Sequence, residues 1–149
     1  MKQYPAIEEL LPHRSPMILL AEVRDDAPGS ITCTVQLHNG SPFVENGSVE
    51  AFVALEYMAQ CVAAYAGLQA YRRGEPVKVG YLVGARKVDI AVDSFGVGDQ
   101  LIVRAEHIWG DDALGKFACT VDSNGQRVAD GVLTIYQGDP ATDELASRH

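Results

Sequence analysis

The sequence predicts an α+β protein in which an antiparallel sheet wraps around one central helix. Three observations support this class. The length of 149 residues is typical of one domain. One long apolar segment covers residues 51–68, and strand-like segments joined by turn signals lie on both sides of it. We predict a single domain over residues 1–137 and a polar C-terminal tail over residues 138–149.

The apolar segment at residues 51–68 is the strongest single signal in the chain. Two polar side chains, Glu56 and Gln60, and one glycine interrupt it. Its length alone would suit a membrane span. An acid and an amide near its middle, in a chain of otherwise globular composition, favour a helix buried in a protein core. We therefore predict a core helix and no membrane span.

The ends of this helix are also predicted from the sequence. Residues 46–48, Asn-Gly-Ser, offer capping and turn residues before it. Glu50 is expected in the first turn, where the helix dipole favours an acid. Gly74 and Pro76 are expected to end the helix, because neither residue continues it well.

The rest of the chain reads as strands joined by turns. Residues 123–125, Ser-Asn-Gly, are typical of a hairpin turn with positive φ, and Gly96 to Asp99 form another turn signal. A short helix is expected over residues 7–11, ended by Pro12. The predicted strands cover residues 17–24, 30–37, 77–92, 100–109, 114–121 and 127–136.

Composition and charge narrow the possible partners. Twelve Lys and Arg against twenty Asp and Glu give a net charge of −8, so the chain lacks the basic footprint of a nucleic-acid-binding protein. An anionic membrane surface is excluded on the same ground. Cys33, Cys61 and Cys119 have no metal-ligand spacing, and Cys61 is expected to be a packed thiol. We predict a cytoplasmic protein with no metal and no cofactor.

The acid within the apolar helix is the first candidate for chemistry. Glu56 and Gln60 are four residues apart, so their side chains share one helix face. Burying a carboxyl without a partner is costly, so the group must find donors or stay protonated. Two interpretations remain open: a structural pair in which Gln60 donates to Glu56, and a catalytic acid or base.

Histidines and a basic cluster are the other candidates. His13 lies before the first predicted strand, and His38 lies at the end of the second, near the turn that leads to the helix. No pair of histidines has the spacing of a metal site. Five of the twelve basic residues fall within residues 72–87, as either a solvated surface or a local anion site: Arg72, Arg73, Lys78, Arg86 and Lys87.

Four segments resemble one enzyme family. Residues 11–23, Leu-Pro-His-Arg-Ser-Pro-Met-Ile-Leu-Leu-Ala-Glu-Val, and residues 55–60, Leu-Glu-Tyr-Met-Ala-Gln, resemble FabZ-type 3-hydroxyacyl-(acyl carrier protein) dehydratases. The chain is still more similar to the FabZ-like subfamily associated with aryl polyene gene clusters. Residues 80–86, Gly-Tyr-Leu-Val-Gly-Ala-Arg, and residues 98–101, Gly-Asp-Gln-Leu, carry this closer likeness. The resemblance covers about residues 5–137.

The resemblance implies a hot-dog fold and acyl-thioester sites at a subunit interface. A homodimer or a higher homo-oligomer is expected, or a heteromer with a related dehydratase. In FabZ-type enzymes the helix glutamate, here Glu56, works with a histidine from the loop before the helix. That histidine position falls on Pro42, so we predict the nearby His38 as the catalytic partner of Glu56 and place it ahead of His13.

The resemblance also suggests how a substrate would be held. Backbone N–H groups of Ala51 and Phe52, at the start of the helix, are predicted to polarise the thioester carbonyl. Gln60 is included with the substrate-binding residues. The phosphates of coenzyme A or pantetheine, or an acidic carrier protein, are predicted to meet four basic residues: Arg72, Arg73, Arg86 and Lys87.

The resulting function is dehydration, or reverse hydration, of 3-hydroxyacyl thioesters in fatty-acid or polyene-type lipid biosynthesis. The substrate would be carried on acyl carrier protein or coenzyme A. One alternative is an acyl-thioesterase in which Glu56 activates water. Another is a catalytically impaired, acyl-binding partner subunit of a dehydratase complex, which the missing loop histidine favours.

Overall fold

The computed structural model describes residues 3–138 of the chain. It contains one α-helix, α1 (Ala54–Arg72), preceded by a 3₁₀ turn at Ala51–Val53, and a second 3₁₀ turn at Ile7–Glu9. The eight strands are β1 (Glu22–Ala27), β2 (Ser30–Gln36), β3 (Ser48–Glu50), β4 (Val79–Ile90), β5 (Ser94–Gly96), β6 (Gln100–Gly110), β7 (Leu114–Ser123) and β8 (Gln126–Gly138). The predicted tail lies outside the described residues except for Gly138, which ends β8.

Six strands form one antiparallel sheet in the order β1-β2-β6-β7-β8-β4, and α1 packs against its inner face. Alternate residues of β7 are buried, as expected for a sheet with one face on a core. Asn124 and Gly125 both have positive φ, so the predicted hairpin between β7 and β8 is confirmed. The predicted α+β class, with a sheet around one helix, is likewise confirmed.

Helix α1 is the core helix that the sequence predicts. Together with its leading turn it spans Ala51–Arg72 and is apolar enough to cross a membrane, but 61% of its most apolar window is buried inside the protein. Tyr57, Met58 and Cys61 are almost completely buried on the side facing the sheet. The Cys61 thiol donates to the carbonyl oxygen of Val103 at 3.5 Å, and burial raises its pKa well above the usual value.

The N-terminal segment lies across α1 at a very short distance. A Cβ atom added to Gly67 would overlap the carbonyl oxygen of Leu10, so only glycine allows this approach. Leu10 itself is fully buried. The helix therefore has one face against the sheet and another against the chain that precedes β1.

Two details of the sequence prediction were wrong. Residues 46–48 do not cap the helix: Asn46 and Gly47 form a turn with positive φ, Ser48 begins β3, and Glu50 makes no side-chain hydrogen bond to the helix start. The strand expected over residues 17–24 begins only at Glu22. The preceding residues are apolar like a strand, but the backbone N–H of Leu19 is bonded to a helix side chain, not to a neighbouring strand.

Candidate active site

Glu56 lies in the first turn of α1 and lines a cavity of about 110 Å³ between the helix and strands β4 and β8. Its side chain is 43% exposed in the single chain, so the expectation of a buried carboxyl was wrong. Ala59 and Ala63, which follow it on the same helix face, line the same cavity. The lining residues are His13, Glu56, Ala59, Ala63, Gly80, Leu82, Ile135 and Gln137.

His13 is the histidine that the fold brings to Glu56. The distance from its Nε2 to Oε1 of Glu56 is 3.9 Å, which is within ion-pair range but longer than a direct hydrogen bond. The other ring nitrogen, Nδ1, is buried and has no hydrogen-bond partner. Nε2 is therefore the nitrogen placed to exchange a proton at the cavity.

Gln60 holds the His13 segment and Glu56 together. Its side chain is completely buried. Its Oε1 accepts from the backbone N–H of Leu19 at 2.9 Å, and its Nε2 donates to the carbonyl oxygen of Met17 at 2.7 Å. The same Nε2 lies 3.4 Å from Oε1 of Glu56. The Glu56–Gln60 contact considered from the sequence is therefore present. It is one of three contacts by which the Gln60 side chain joins Glu56 to the backbone at Met17 and Leu19.

His38 lines a different cavity, of about 170 Å³, together with Tyr57 and residues of the chain before β1. Its Nδ1 accepts from the backbone N–H of Gly40 at 3.2 Å, and the backbone N–H of His38 donates to Oγ of Ser41 at 3.0 Å. Burial raises the pKa of Tyr57 to about 12, so its hydroxyl stays protonated at neutral pH. A catalytic role for His38 stays a prediction, and within one chain His13 lies beside Glu56.

Of the two backbone N–H groups predicted to polarise the thioester carbonyl, one is already engaged in a hydrogen bond. The backbone N–H of Ala51 donates to the carbonyl oxygen of Asp93 at 3.1 Å. Phe52 is in the leading 3₁₀ turn, where backbone N–H groups have no partner within the helix, and its side chain is 67% exposed. Phe52 is thus the better placed of the two predicted donors.

The five basic residues do not form one patch. Arg72 makes a two-point ion pair with Asp26, at 2.8 and 3.1 Å, and the Tyr4 hydroxyl donates to the same carboxylate. Arg73 pairs with Glu75 at 3.3 Å and, with Lys78, lines a cavity at the end of the helix. Arg86 and Lys87 are exposed farther along the chain, about 26 Å beyond Lys78 if the strand is extended.

The cavity at Glu56 is suited to proton transfer. A carboxyl and an imidazole face each other beside a helix start, and the opposite wall combines the apolar Leu82 and Ile135 with Gln137. Among residues 3–138, no group of three potential ligand side chains is placed to hold a metal ion. The sequence pointed to Glu56 and Gln60 directly. It ranked His13 below His38, because nothing in the spacing of residues 13 and 56 shows that they meet.

Comparisons with known proteins agree on the family and the fold. A family model described as ApeP-like, ApeP dehydratase, matches residues 5–147. The dehydratase heterocomplex ApeI:P from Xenorhabdus doucetiae contains a chain with 27% identity and a TM-score of 0.91, the alignment covering 97% of this chain and 99% of that one. No curated protein sequence matches the chain.

More distant structures share the fold alone. A hypothetical thioesterase from Streptococcus pneumoniae, solved with coenzyme A, has 12% identity and a TM-score of 0.60, covering 79% of this chain and 85% of that one. A protein from Helicobacter felis has 15% identity and a TM-score of 0.66, covering 94% of both chains. At these identities the likeness extends to the antiparallel sheet and its central helix.

The fold and the family match together define a dehydratase of the hot-dog class, which is a lyase. The helix carries its acid, Glu56, at the position that the sequence motif predicts. The chain belongs to the ApeP-like dehydratase family. The resemblance to hot-dog dehydratases and the dehydratase function inferred from the sequence are confirmed.

Proposed function

We propose that the protein dehydrates 3-hydroxyacyl thioesters, with Glu56 and His13 as its acid–base pair. One observation carries this assignment, namely the 3.9 Å approach of the two side chains at a cavity beside the helix start. The substrate would be a thioester of acyl carrier protein or coenzyme A, in polyene-type lipid biosynthesis in the cytoplasm. The resemblance of the sequence to dehydratases of aryl polyene gene clusters supports this pathway.

The reaction needs one proton acceptor and one proton donor. One member of the pair accepts the proton from the carbon next to the thioester carbonyl, and the other protonates the hydroxyl, which leaves as water. A double bond forms between the two carbons. Negative charge that develops on the carbonyl oxygen would meet the N–H of Phe52 and the positive end of the helix dipole.

Hydration of crotonyl-coenzyme A, the reverse reaction, tests this proposal. We expect Glu56→Gln and His13→Gln each to lower turnover by about 10²–10⁴-fold, the range for a positioned acid or base. His38→Gln is the matched control. Unchanged turnover in Glu56→Gln would refute the proposal. Loss in His38→Gln with retention in His13→Gln would transfer the role to His38, contributed by another subunit.

A second candidate is a subunit of a heteromeric dehydratase. The heterocomplex composition of the ApeI:P structure favours it. Strand β4 also favours a subunit role. It lies at the edge of the large sheet, and the apolar side chains of residues 79 and 81–83 on it are exposed. Such an edge is suited to pairing with another chain, either a second copy or a related dehydratase. Native mass spectrometry of the protein alone and mixed with a related subunit distinguishes the two, and turnover only in the mixture would favour the heteromer.

Thioester hydrolysis is the remaining alternative. The thioesterase structures similar to this chain share its fold at 12% identity and supply no residue-level argument. Release of free coenzyme A from an acyl-coenzyme A, measured with a thiol reagent, separates hydrolysis from dehydration. We expect no release above the uncatalysed rate.

A further inference from the structure

Gln137 is a polar side chain on the inner face of the sheet that has no part in the acid–base pair. In β8 the alternate residues Leu133 and Ile135 are buried against the core, and Gln137 is the next residue on the same face. An apolar residue is the usual choice at such a position, because an amide taken out of water must find hydrogen-bond partners. The presence of an amide here therefore points to a ligand or a partner group.

The Gln137 side chain lies where three cavities adjoin. The first is the cavity of Glu56 and His13, the second, of about 220 Å³, lies beside Tyr65 and His107, and the third, of about 310 Å³, lies at the end of α1. The side-chain amide is half-buried and forms no hydrogen bond with another of the described residues. Its donor and acceptor atoms are thus available to a ligand in the Glu56 cavity.

The backbone holds Gln137 in place while its side chain stays available. Its N–H donates to the carbonyl oxygen of Ala113 at 2.7 Å, and the residue lies opposite Gly80 of β4. A Cβ added to Gly80 would lie 3.6 Å from Cγ of Gln137 and 3.3 Å from Cγ2 of Ile135. The Gln137 side chain therefore packs directly over the first glycine of the Gly-x-Leu-x-Gly-x-Arg segment, and a larger residue there would take up part of its space.

A 3-hydroxyacyl thioester brings two oxygen atoms to the acid–base pair. The thioester carbonyl oxygen is proposed to meet the N–H of Phe52 at the helix start, which leaves the 3-hydroxyl oxygen for the wall formed by the strands. Gln137 is the polar residue of that wall, and its Nε2 carries two hydrogen atoms. A donor at the hydroxyl oxygen favours the reaction, because negative charge develops there as the carbon–oxygen bond breaks.

We propose that Gln137 is a substrate-binding residue of the dehydratase, and that its Nε2 donates to the 3-hydroxyl oxygen of the thioester. This inference rests on the proposed function. The bond between carbon 3 and the oxygen breaks, and the oxygen takes a proton from the acid of the Glu56–His13 pair and leaves as water. The amide neither gains nor loses a proton. It holds the oxygen towards the acid.

Binding by calorimetry in the Glu56→Gln background is the first test, because it does not depend on turnover. It compares 3-hydroxybutyryl-coenzyme A with butyryl-coenzyme A, which lacks the hydroxyl. With Gln137 present, we expect the hydroxylated thioester to bind about threefold to tenfold more tightly, the range for one neutral hydrogen bond. Gln137→Met removes the amide and nearly keeps its volume. It should abolish this preference and leave the affinity for butyryl-coenzyme A within about twofold.

Hydration of crotonyl-coenzyme A is the second measurement, in the protein with Glu56 intact. The attacking water then takes the place of the leaving hydroxyl, so Gln137→Met should lower kcat at least about tenfold. Gln69→Met is the matched control, because Gln69 lines the cavity beside Tyr65 and not the cavity at Glu56. It should change neither kcat nor the binding preference.

Three results would overturn the inference. The first is no preference for the hydroxylated thioester with Gln137 present, or a preference that survives in Gln137→Met. The second is an equal loss of affinity for both thioesters, which would show that Gln137 only supports the shape of the cavity. The third is an unchanged kcat in Gln137→Met. Wild-type protein that never hydrates crotonyl-coenzyme A, although Gln137 determines the binding preference, would instead refute the proposed function and leave the binding role of Gln137 intact.

Discussion

Two neighbouring faces of helix α1 use small residues for opposite purposes. On the packed face, Gly67 allows the backbone of Leu10 to contact the helix directly, and the Gln60 side chain donates a hydrogen bond to the carbonyl oxygen of Met17. On the open face, Ala59 and Ala63 line a cavity, because the side chains of β4 and β8 opposite do not fill the space. Small side chains thus create tight packing where a backbone can approach and open space where it cannot. The acid Glu56 lies at the boundary between the two faces.

The largest expected effect is on the packed face. Gly67→Ala would place a Cβ against the Leu10 carbonyl, and overpacking against backbone cannot be relieved by a rotamer change. We expect a loss of more than about 3 kcal/mol in the free energy of unfolding, at the upper end of such effects. Chemical denaturation measures it. Gly84→Ala, whose nearest neighbour would be 3.9 Å away, is the control, and a loss of similar size there would contradict the comparison.

Gln60→Met removes the hydrogen bonds of the Gln60 side chain while nearly keeping its volume. The N–H of Leu19 and the carbonyl of Met17 would both lose their partner, at a cost of about 2–4 kcal/mol in stability. Turnover should fall too, because the segment that carries His13 is released. Hydrogen exchange measures this directly, with faster exchange expected in residues 12–19. Gln69→Met, at a half-buried position near the end of α1, should leave exchange in that segment unchanged.

Leucine substitutions at two adjacent alanines compare the stability of the packed face and the open face directly. Ala64 is completely buried and Ala63 lines the cavity at Glu56. Ala64→Leu should cost about 1–3 kcal/mol through overpacking. Ala63→Leu has free space to enter and should change stability by less than about 0.5 kcal/mol. Equal thermal shifts in the two variants would show that the open face is closed in solution.

The smallest effect, a change in KM, is expected at the C-terminal end of α1. Arg73 lines the cavity at the end of the helix, whereas Arg72 is held by Asp26. Arg73→Gln should raise KM for coenzyme A thioesters about threefold to tenfold, as expected for loss of one charge-assisted contact to phosphate. Arg72→Gln should leave KM unchanged. The reverse order would locate the phosphate nearer to the Asp26 pair.

The sequence predicted the fold and one member of the proposed acid–base pair. The core helix and the four long strands after it follow from apolar periodicity, and the position of Glu56 follows from a motif. His13 could not be predicted as its neighbour, because their meeting depends on hydrogen bonds from Gln60 to backbone atoms far away in the sequence. The clustering of basic residues in the sequence also did not show that the guanidinium of Arg72 forms an ion pair with Asp26.

The source of the histidine affects how freely the loop before the helix can change. In FabZ-type enzymes that loop carries a catalytic side chain, whereas here its residues 39–43 include Pro42 at the corresponding position and an exposed Phe43. In the proposed pair the histidine comes from the N-terminal segment instead, so the proposal predicts that the sequence and length of this loop vary between relatives. On this proposal, a search that requires a histidine in the loop would miss members of the family that use the N-terminal one.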